Sequence, residues 1–187
     1  MPLSEQAVSG LRAVVDATVN GPSSIPGATI VVVDKNGDDI FAYSSGKRGI
    51  SSAEPMTLDN VFWIASCTKM VTALACMQLV EKGELRLDDA EQVEGLCPEL
   101  KTKKVLKRKE GGGFEFEEKK NGITLKMLLT HTAGFAYSFF NQEVRDWSMP
   151  TGIEELDPNT EEMMNSPLVF QPGEGWQYGV SHYYLPF

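Results

Sequence analysis

The chain has 187 residues, of which 42% are hydrophobic and 23% charged, and its formal net charge is −9. That length suffices for one domain with a buried core, while the acidic balance argues against nucleic acid or an anionic membrane surface as partners, since both favour a net basic face. No run reaches the roughly 18 apolar residues of a membrane span, and MPLSEQAVSG lacks the basic and apolar segments of a secretory leader, so a cytoplasmic protein is expected.

In chain order, SEQAVSGLRAVVDATV places a Ser4 cap before Ala7, Val8, Leu11, Val14, Val15 and Val19 at helical spacing, which predicts an amphipathic helix. After GPSSIPG, two β-branched or aromatic runs flank Asn36-Gly37, a strong hairpin signal, and predict an antiparallel pair of Ala28–Val33 with Asp39–Tyr43. The stretch FWIASCTKMVTALACMQLVEKG predicts a helix from about Ser66 to Lys82, ended by Gly83. Because it is apolar on nearly every side, that helix is expected to be buried. ELRLDDAEQVEGLCPEL predicts a loop with a short helical turn. KTKKVLKRK followed by EGGGFEFEEKK predicts a solvated surface hairpin over about 104–118. A short helix is predicted at Leu125–Leu129, then loops, with one more helix around Asn159–Asn165 and a turn at QPGEGWQYG. The fold class is therefore α+β, an antiparallel sheet packed with helices. Two strands alone make a marginal sheet, and no convincing third strand appears, so the sheet is expected to be incomplete.

Cys67, Cys76 and Cys97 are odd in number and lack CxxC spacing, and only His131 and His182 could offer imidazole. Neither a disulfide framework nor a metal site is expected, and no cofactor is implied.

One constellation carries chemistry. Serine is a weak nucleophile until a base within hydrogen-bond reach takes its proton, and residues i and i+3 share a helix face. Ser66 and Lys69 meet that condition, with Ser66 in a first turn whose free amides and dipole favour a developing oxyanion. The S-x-x-K spacing alone is weak. Ser44 and Lys47 also match it, in an extended or turning segment where the two side chains need not converge. The alternative for Ser66 and Lys69 is a helix cap followed by a snorkelling lysine. GVSHY is half of a G-x-S-x-G elbow and lacks the second glycine and the following helix. Cys67, one step round the helix, is expected in the core.

S-x-x-K is among the signatures of serine β-lactamases and penicillin-binding proteins. VFWIASCTKMVTALACMQLVEKGELRLDD resembles the nucleophile helix of that superfamily's esterase and transesterase branch. ITLKMLLTHTAGF resembles its LLTHTSG element, FQPGEGWQYG its PG-x-x-W-x-Y segment, and the hairpin its first two strands. These four elements occur in family order and cover almost the whole chain.

The resemblance implies a single partial β-lactamase/transpeptidase-like domain over 1–187, with the C-terminal strands absent. It implies Ser66 as acylated nucleophile, Lys69 as base, Tyr178 as proton shuttle and the Ser66 amide as half of an oxyanion hole. His131 and Gly134 would serve the structure of the LLTHTAG loop, while Tyr137 and Trp176 would line the acyl pocket. Tyr178 followed by Gly-Val, in place of tyrosine-x-asparagine, favours an esterase or transesterase over a β-lactamase. GVSHYYLPF does not resemble the family's usual continuation, so the second oxyanion amide is expected to have no counterpart.

Two functions follow as expectations. The first is a serine hydrolase or acyltransferase acting on a small-molecule ester, thioester or amide. The second is a non-catalytic remnant that either is an interaction module, its exposed sheet edge taking a strand from a partner or from a second copy, or does not fold alone.

Overall fold

The computed structural model describes residues 3–152 and 165–185. The chain divides into two compact units, Met1–Trp63 and Ile64–Phe187. The helix expected around Asn159–Asn165 lies, up to its last residue, outside the described residues.

In the first unit, α1 (Glu5–Asn20) starts where Ser4 Oγ accepts the Ala7 amide at 3.2 Å, the capping arrangement its sequence implies. Strands β1 (Gly27–Val33) and β2 (Asp39–Gly46) pair antiparallel, Ile30 opposite Tyr43. Their turn is closed by Asp34, whose Oδ1 accepts the amides of Asn36 at 2.7 Å and Asp38 at 3.1 Å, and Gly37 takes the positive φ of 89° that the turn needs. The inward faces of α1 and β2 meet through Val15, Val19 and Phe41, all buried. Asp16 fastens the contact, accepting hydrogen bonds from Ser45 Oγ at 2.6 Å and Tyr43 Oη at 2.9 Å. Those bonds, Ser45's first, hold the Asp16 carboxyl below the usual carboxylate range. Ile30, Val31, Val32 and Val33 of β1 are exposed.

The second unit holds the larger core. A 3-10 turn, Ala65–Cys67, leads into α2 (Thr68–Glu81), followed by α3 (Ala90–Leu96), strands β3 (Lys104–Arg108) and β4 (Phe114–Glu118), α4 (Leu125–Leu129) and α5 (Gln142–Ser148). Leu100, Val105, Ile123, Leu128, Phe135, Leu168, Val180 and Tyr184 pack together with essentially no exposure. Glu94 of α3 binds the chain before α4, accepting Lys119 Nζ at 2.7 Å and the Ile123 amide at 2.8 Å. Asn141 caps α5 by accepting the amides of Glu143 and Val144.

Three expectations are corrected. The apolar helix is not buried on all sides: of α2 only Cys76 is buried, whereas Met70, Val71 and Leu74 are exposed. Hydropathy favours burial but does not supply the surface that would cover these side chains. Cys67 is likewise exposed and not in the core. The hairpin over 104–118 is not simply a solvated surface feature. Leu106 donates its amide to Leu168 O at 2.7 Å, and Leu168 returns its own to Lys104 O at 2.9 Å, so a third segment pairs with β3 and Val105 and Leu106 are fully covered. Helix α5 went unforeseen because its few apolar residues lie in an otherwise polar, loop-like stretch.

Lys103 is buried against the Phe135 and Tyr184 rings, its Nζ 5.9 Å and 5.3 Å from their centroids. Burial pulls its ammonium down to about 8, and the neighbouring Cys97 and Glu99 only partly offset that. The unfolded chain holds the same proton until ~10.4, so between these values the unfolded state binds more protons and stability from this group rises with pH. Cys97 acts in the opposite sense above ~8.5, because burial and its hydrogen bond to Glu99 push its thiol up to about 12. Replacing Lys103 isolates one of the two. In urea denaturation at successive pH values, the stability of Lys103→Met relative to the parent is expected to fall as pH rises from about 8 to ~10.4; a constant difference would contradict the burial of a charge here.

Candidate active site

The entry to α2 is where the backbone is strained. Ala65 adopts a φ of 44° and His131, across the site, one of 60°; these two are the non-glycine residues with positive φ among the described residues. Such conformations cost on the order of 1–3 kcal/mol and cluster at functional sites. The turn at Ala65–Cys67 places Ser66 two residues ahead of the α-helix, where the sequence suggested its first turn, and leaves its side chain exposed.

Half-buried Lys69 reaches back from the first turn of α2. Its Nζ donates to Ser66 Oγ at 3.3 Å and to Tyr137 Oη at 3.3 Å, and lies 5.1 Å from the centroid of the Tyr178 ring. Tyr178 shares hydrogen bonds with both Ser66 and Lys69. Burial pushes its phenol up, but those bonds and the charge of Lys69 outweigh it and leave the phenol below its ordinary value. A hydroxyl, an amine and a phenol of lowered proton affinity are thus held within mutual reach.

His131 packs beside this group, its ring 4.6 Å from that of Tyr178 and 4.9 Å from that of His182. Burial, with the charge of Lys69 adding to it, holds the His131 imidazole below its ordinary value. Burial with the further effects of His131 and Lys69 pulls His182 down to about 4. Trp176 turns an edge toward His131 at 6.3 Å and is 65% exposed. Phe139 stacks on Tyr137 at 4.8 Å, and Phe140 stands edge-on to Tyr178 at 6.1 Å, both partly open to solvent. Gly134 has a φ of 104°, and a Cβ there would meet Phe170 O at 2.5 Å.

Seven residues were singled out from sequence. Ser66, Lys69, Tyr137 and Tyr178 converge, with His131 and Trp176 beside them, whereas Gly134 supports the loop beneath. The Tyr137 phenol is a direct partner of Lys69, 68 residues away in the chain. No spacing rule connects positions so far apart. His182, Phe139 and Phe140 were not singled out for the site at all. The GVSHY segment forms a 3-10 turn, Val180–Tyr184, with Ser181 completely buried, so it is no nucleophile elbow. Ser44 lies in the extended strand β2. Among the described residues no group of three or more His, Cys, Asp or Glu side chains is placed to hold a metal ion, and no helix is long and apolar enough to cross a membrane.

Residues 12–185 match the model of the Beta-lactamase family. The chain belongs to that family. It is 38% identical over 165 residues to the lovastatin esterase of Penicillium rubens, covering 83% of this chain and 40% of that protein. To acyltransferase mokF of Monascus pilosus it is 34% identical over 164 residues, covering 84% and 39%. A LovD6 mutant of simvastatin synthase (LovD) from Aspergillus terreus superposes with a TM-score of 0.79 at 28% identity, covering 96% of this chain and 44% of the other. The fold is accordingly α+β and β-lactamase-like, and the chain spans about 40% of the length of the curated relatives it matches.

In this family member the residue after Tyr178 is sterically confined. A Cβ on Gly179 would meet Phe135 O at 2.4 Å and Ala136 Cα at 2.6 Å, both backbone atoms that cannot rotate away. Gly179→Ala is expected to cost ~1–3 kcal/mol, read as a lower midpoint in thermal denaturation; an unchanged midpoint would contradict this close approach.

Proposed function

We propose that the protein is a serine acyl-transfer enzyme, working as an esterase or transesterase on small-molecule esters or thioesters. The observation that carries this reading is the 3.3 Å separation of Lys69 Nζ and Ser66 Oγ at an exposed helix entry. Ser66 Oγ attacks the carbonyl carbon while its proton passes to the Tyr178 oxygen, whose ionised form the Lys69 charge favours. Collapse of the tetrahedral intermediate expels the leaving alcohol or thiol, which takes that proton, and leaves an acyl group on Ser66. Water or an acceptor alcohol then attacks the acyl carbon by the same route in reverse. The Ser66 amide at the head of α2 is one donor for the oxyanion, favoured there by the helix dipole. Tyr137 holds the Lys69 amine from the other side, and Tyr137 with Trp176 borders the acyl group.

The names of the relatives, an esterase and an acyltransferase, support both outcomes of the acyl-enzyme, hydrolysis and transfer. The test is covalent labelling by a fluorophosphonate probe followed by peptide mapping. Labelling is expected at Ser66, absent in Ser66→Ala and reduced ~10²-fold or more in Lys69→Ala; folded parent protein that takes no label would refute the reading.

A second reading is favoured by the exposed valines of β1. Val31 and Val33 are 50% and 52% exposed, and among the described residues β1 pairs only with β2. We infer that this open edge supports self-association of the chain by strand pairing. In size-exclusion chromatography over a range of concentrations the parent is expected to elute as a dimer or larger, and Val31→Lys as a monomer. A parent monomeric at every concentration would sink it.

A further inference from the structure

We propose that His131 is the positioning residue for the Tyr178 phenol, clamping the chain on both sides of it; this rests on the acyl-transfer reading above. Two bonds define the clamp. The Gln177 amide donates to the His131 carbonyl at 3.0 Å, and the Gly179 amide donates to His131 Nδ1 at 3.4 Å. The residues before and after Tyr178 are therefore both tied to one residue, and Tyr178 between them packs its ring 4.6 Å from the imidazole.

The strained backbone explains how one residue does both. With φ at 60°, His131 turns its carbonyl toward Gln177 while its side chain swings to Gly179. A residue in ordinary extended or helical conformation would send the two groups elsewhere. Histidine, like asparagine and aspartate, tolerates this region better than most residues. The neighbouring pairing keeps the strain in place, since Gly173 donates to Thr132 O at 2.9 Å and Val169 to Gly134 O at 2.8 Å.

The clamp requires a defined imidazole. Nδ1 accepts a hydrogen bond only if His131 is neutral with its hydrogen on Nε2. Buried as it is, with Lys69, His182 and Tyr178 as the titratable groups facing it, the ring is disfavoured as a cation. The result is a phenol aimed at Ser66 and Lys69 by a residue that acts through Tyr178.

Three measurements test this. Nitrogen-15 NMR of the parent protein at neutral pH reads the His131 tautomer directly. The Nε2-protonated form is expected, and an Nδ1-protonated ring overturns the clamp, because it would set two N–H groups against each other. Tyrosinate absorbance titration, with Tyr178→Phe as the subtraction control, then follows the phenol. In His131→Gly, which keeps the backbone freedom and loses the acceptor, the Tyr178 midpoint is expected to rise to ~10 as the phenol leaves its partners. It should return toward the parent value in His131→Asn, which restores an acceptor and tolerates the same φ. An unmoved midpoint in His131→Gly overturns the proposal.

Turnover of a p-nitrophenyl ester separates this proposal from the reading beneath it. The His131→Gly loss in kcat, expected at about 10²-fold with KM little changed, should vanish in a Tyr178→Phe background. An additive loss in that cycle means His131 acts elsewhere and overturns the proposal. Parent protein with no Ser66-dependent turnover but with the expected tautomer and midpoints would instead remove the acyl-transfer reading and leave the clamp standing.

Discussion

The site depends on a short run of backbone pairing between the loop at His131–Gly134 and the segment from Val169 to Gly179. Its bonds bring together parts of the chain about 40 residues apart and set Tyr178 opposite the head of α2. Burial reinforces the pairing: Ala133 within the first segment, and Phe135, Leu168 and Val180 immediately flanking the two, are all fully covered. Glycine is needed where the segments come closest. At Gly134 and Gly179 a single Cβ would collide with backbone oxygen at 2.5 Å and 2.4 Å. The pairing thus requires both the apolar residues that cover it and two positions with no side chain.

Around that frame the electrostatics are sparse and directed. Lys69 is the charge beside the Ser66 hydroxyl, and the two nearby imidazoles are disfavoured as cations by burial and by that same charge. Their neutrality keeps the positive field of the site concentrated at one amine, next to a phenol whose proton affinity it lowers. A buried cation of a different kind, Lys103, is kept away from this chemistry, against Phe135 and Tyr184 in the core. Lys103 bears on how the unit holds together at different pH, and Lys69 on what the site can do.

Much was legible along the chain because it rests on local rules. The Ser4 cap, the Asn36-Gly37 hairpin, the α4 helix over Leu125–Leu129 and the Ser66 to Lys69 spacing each involve residues a few positions apart, where backbone geometry leaves few choices. Burial was less legible. Hydropathy marked α2 for the interior, yet Met70, Val71 and Leu74 face outward, because a side chain is buried only if something else packs upon it. The reverse holds for Val105 and Leu106, which lie in a strongly charged stretch and are nevertheless covered, through pairing with Leu168 more than 60 residues later.

The residues alone carry the family membership: an S-x-x-K pair at a helix entry, followed in order by the LLTHTAG and PGEGWQYG elements. Only the tertiary structure decided which groups share the site with that pair. Tyr137 on Lys69, His182 beside His131, and the double hold of His131 on the residues flanking Tyr178 join positions about 45 to 70 apart in the chain. Their meeting depends on loop pairing and on a left-handed turn at His131, and neither leaves a periodic trace, because contacts across a fold follow from how separate segments pack and not from the spacing within any one of them.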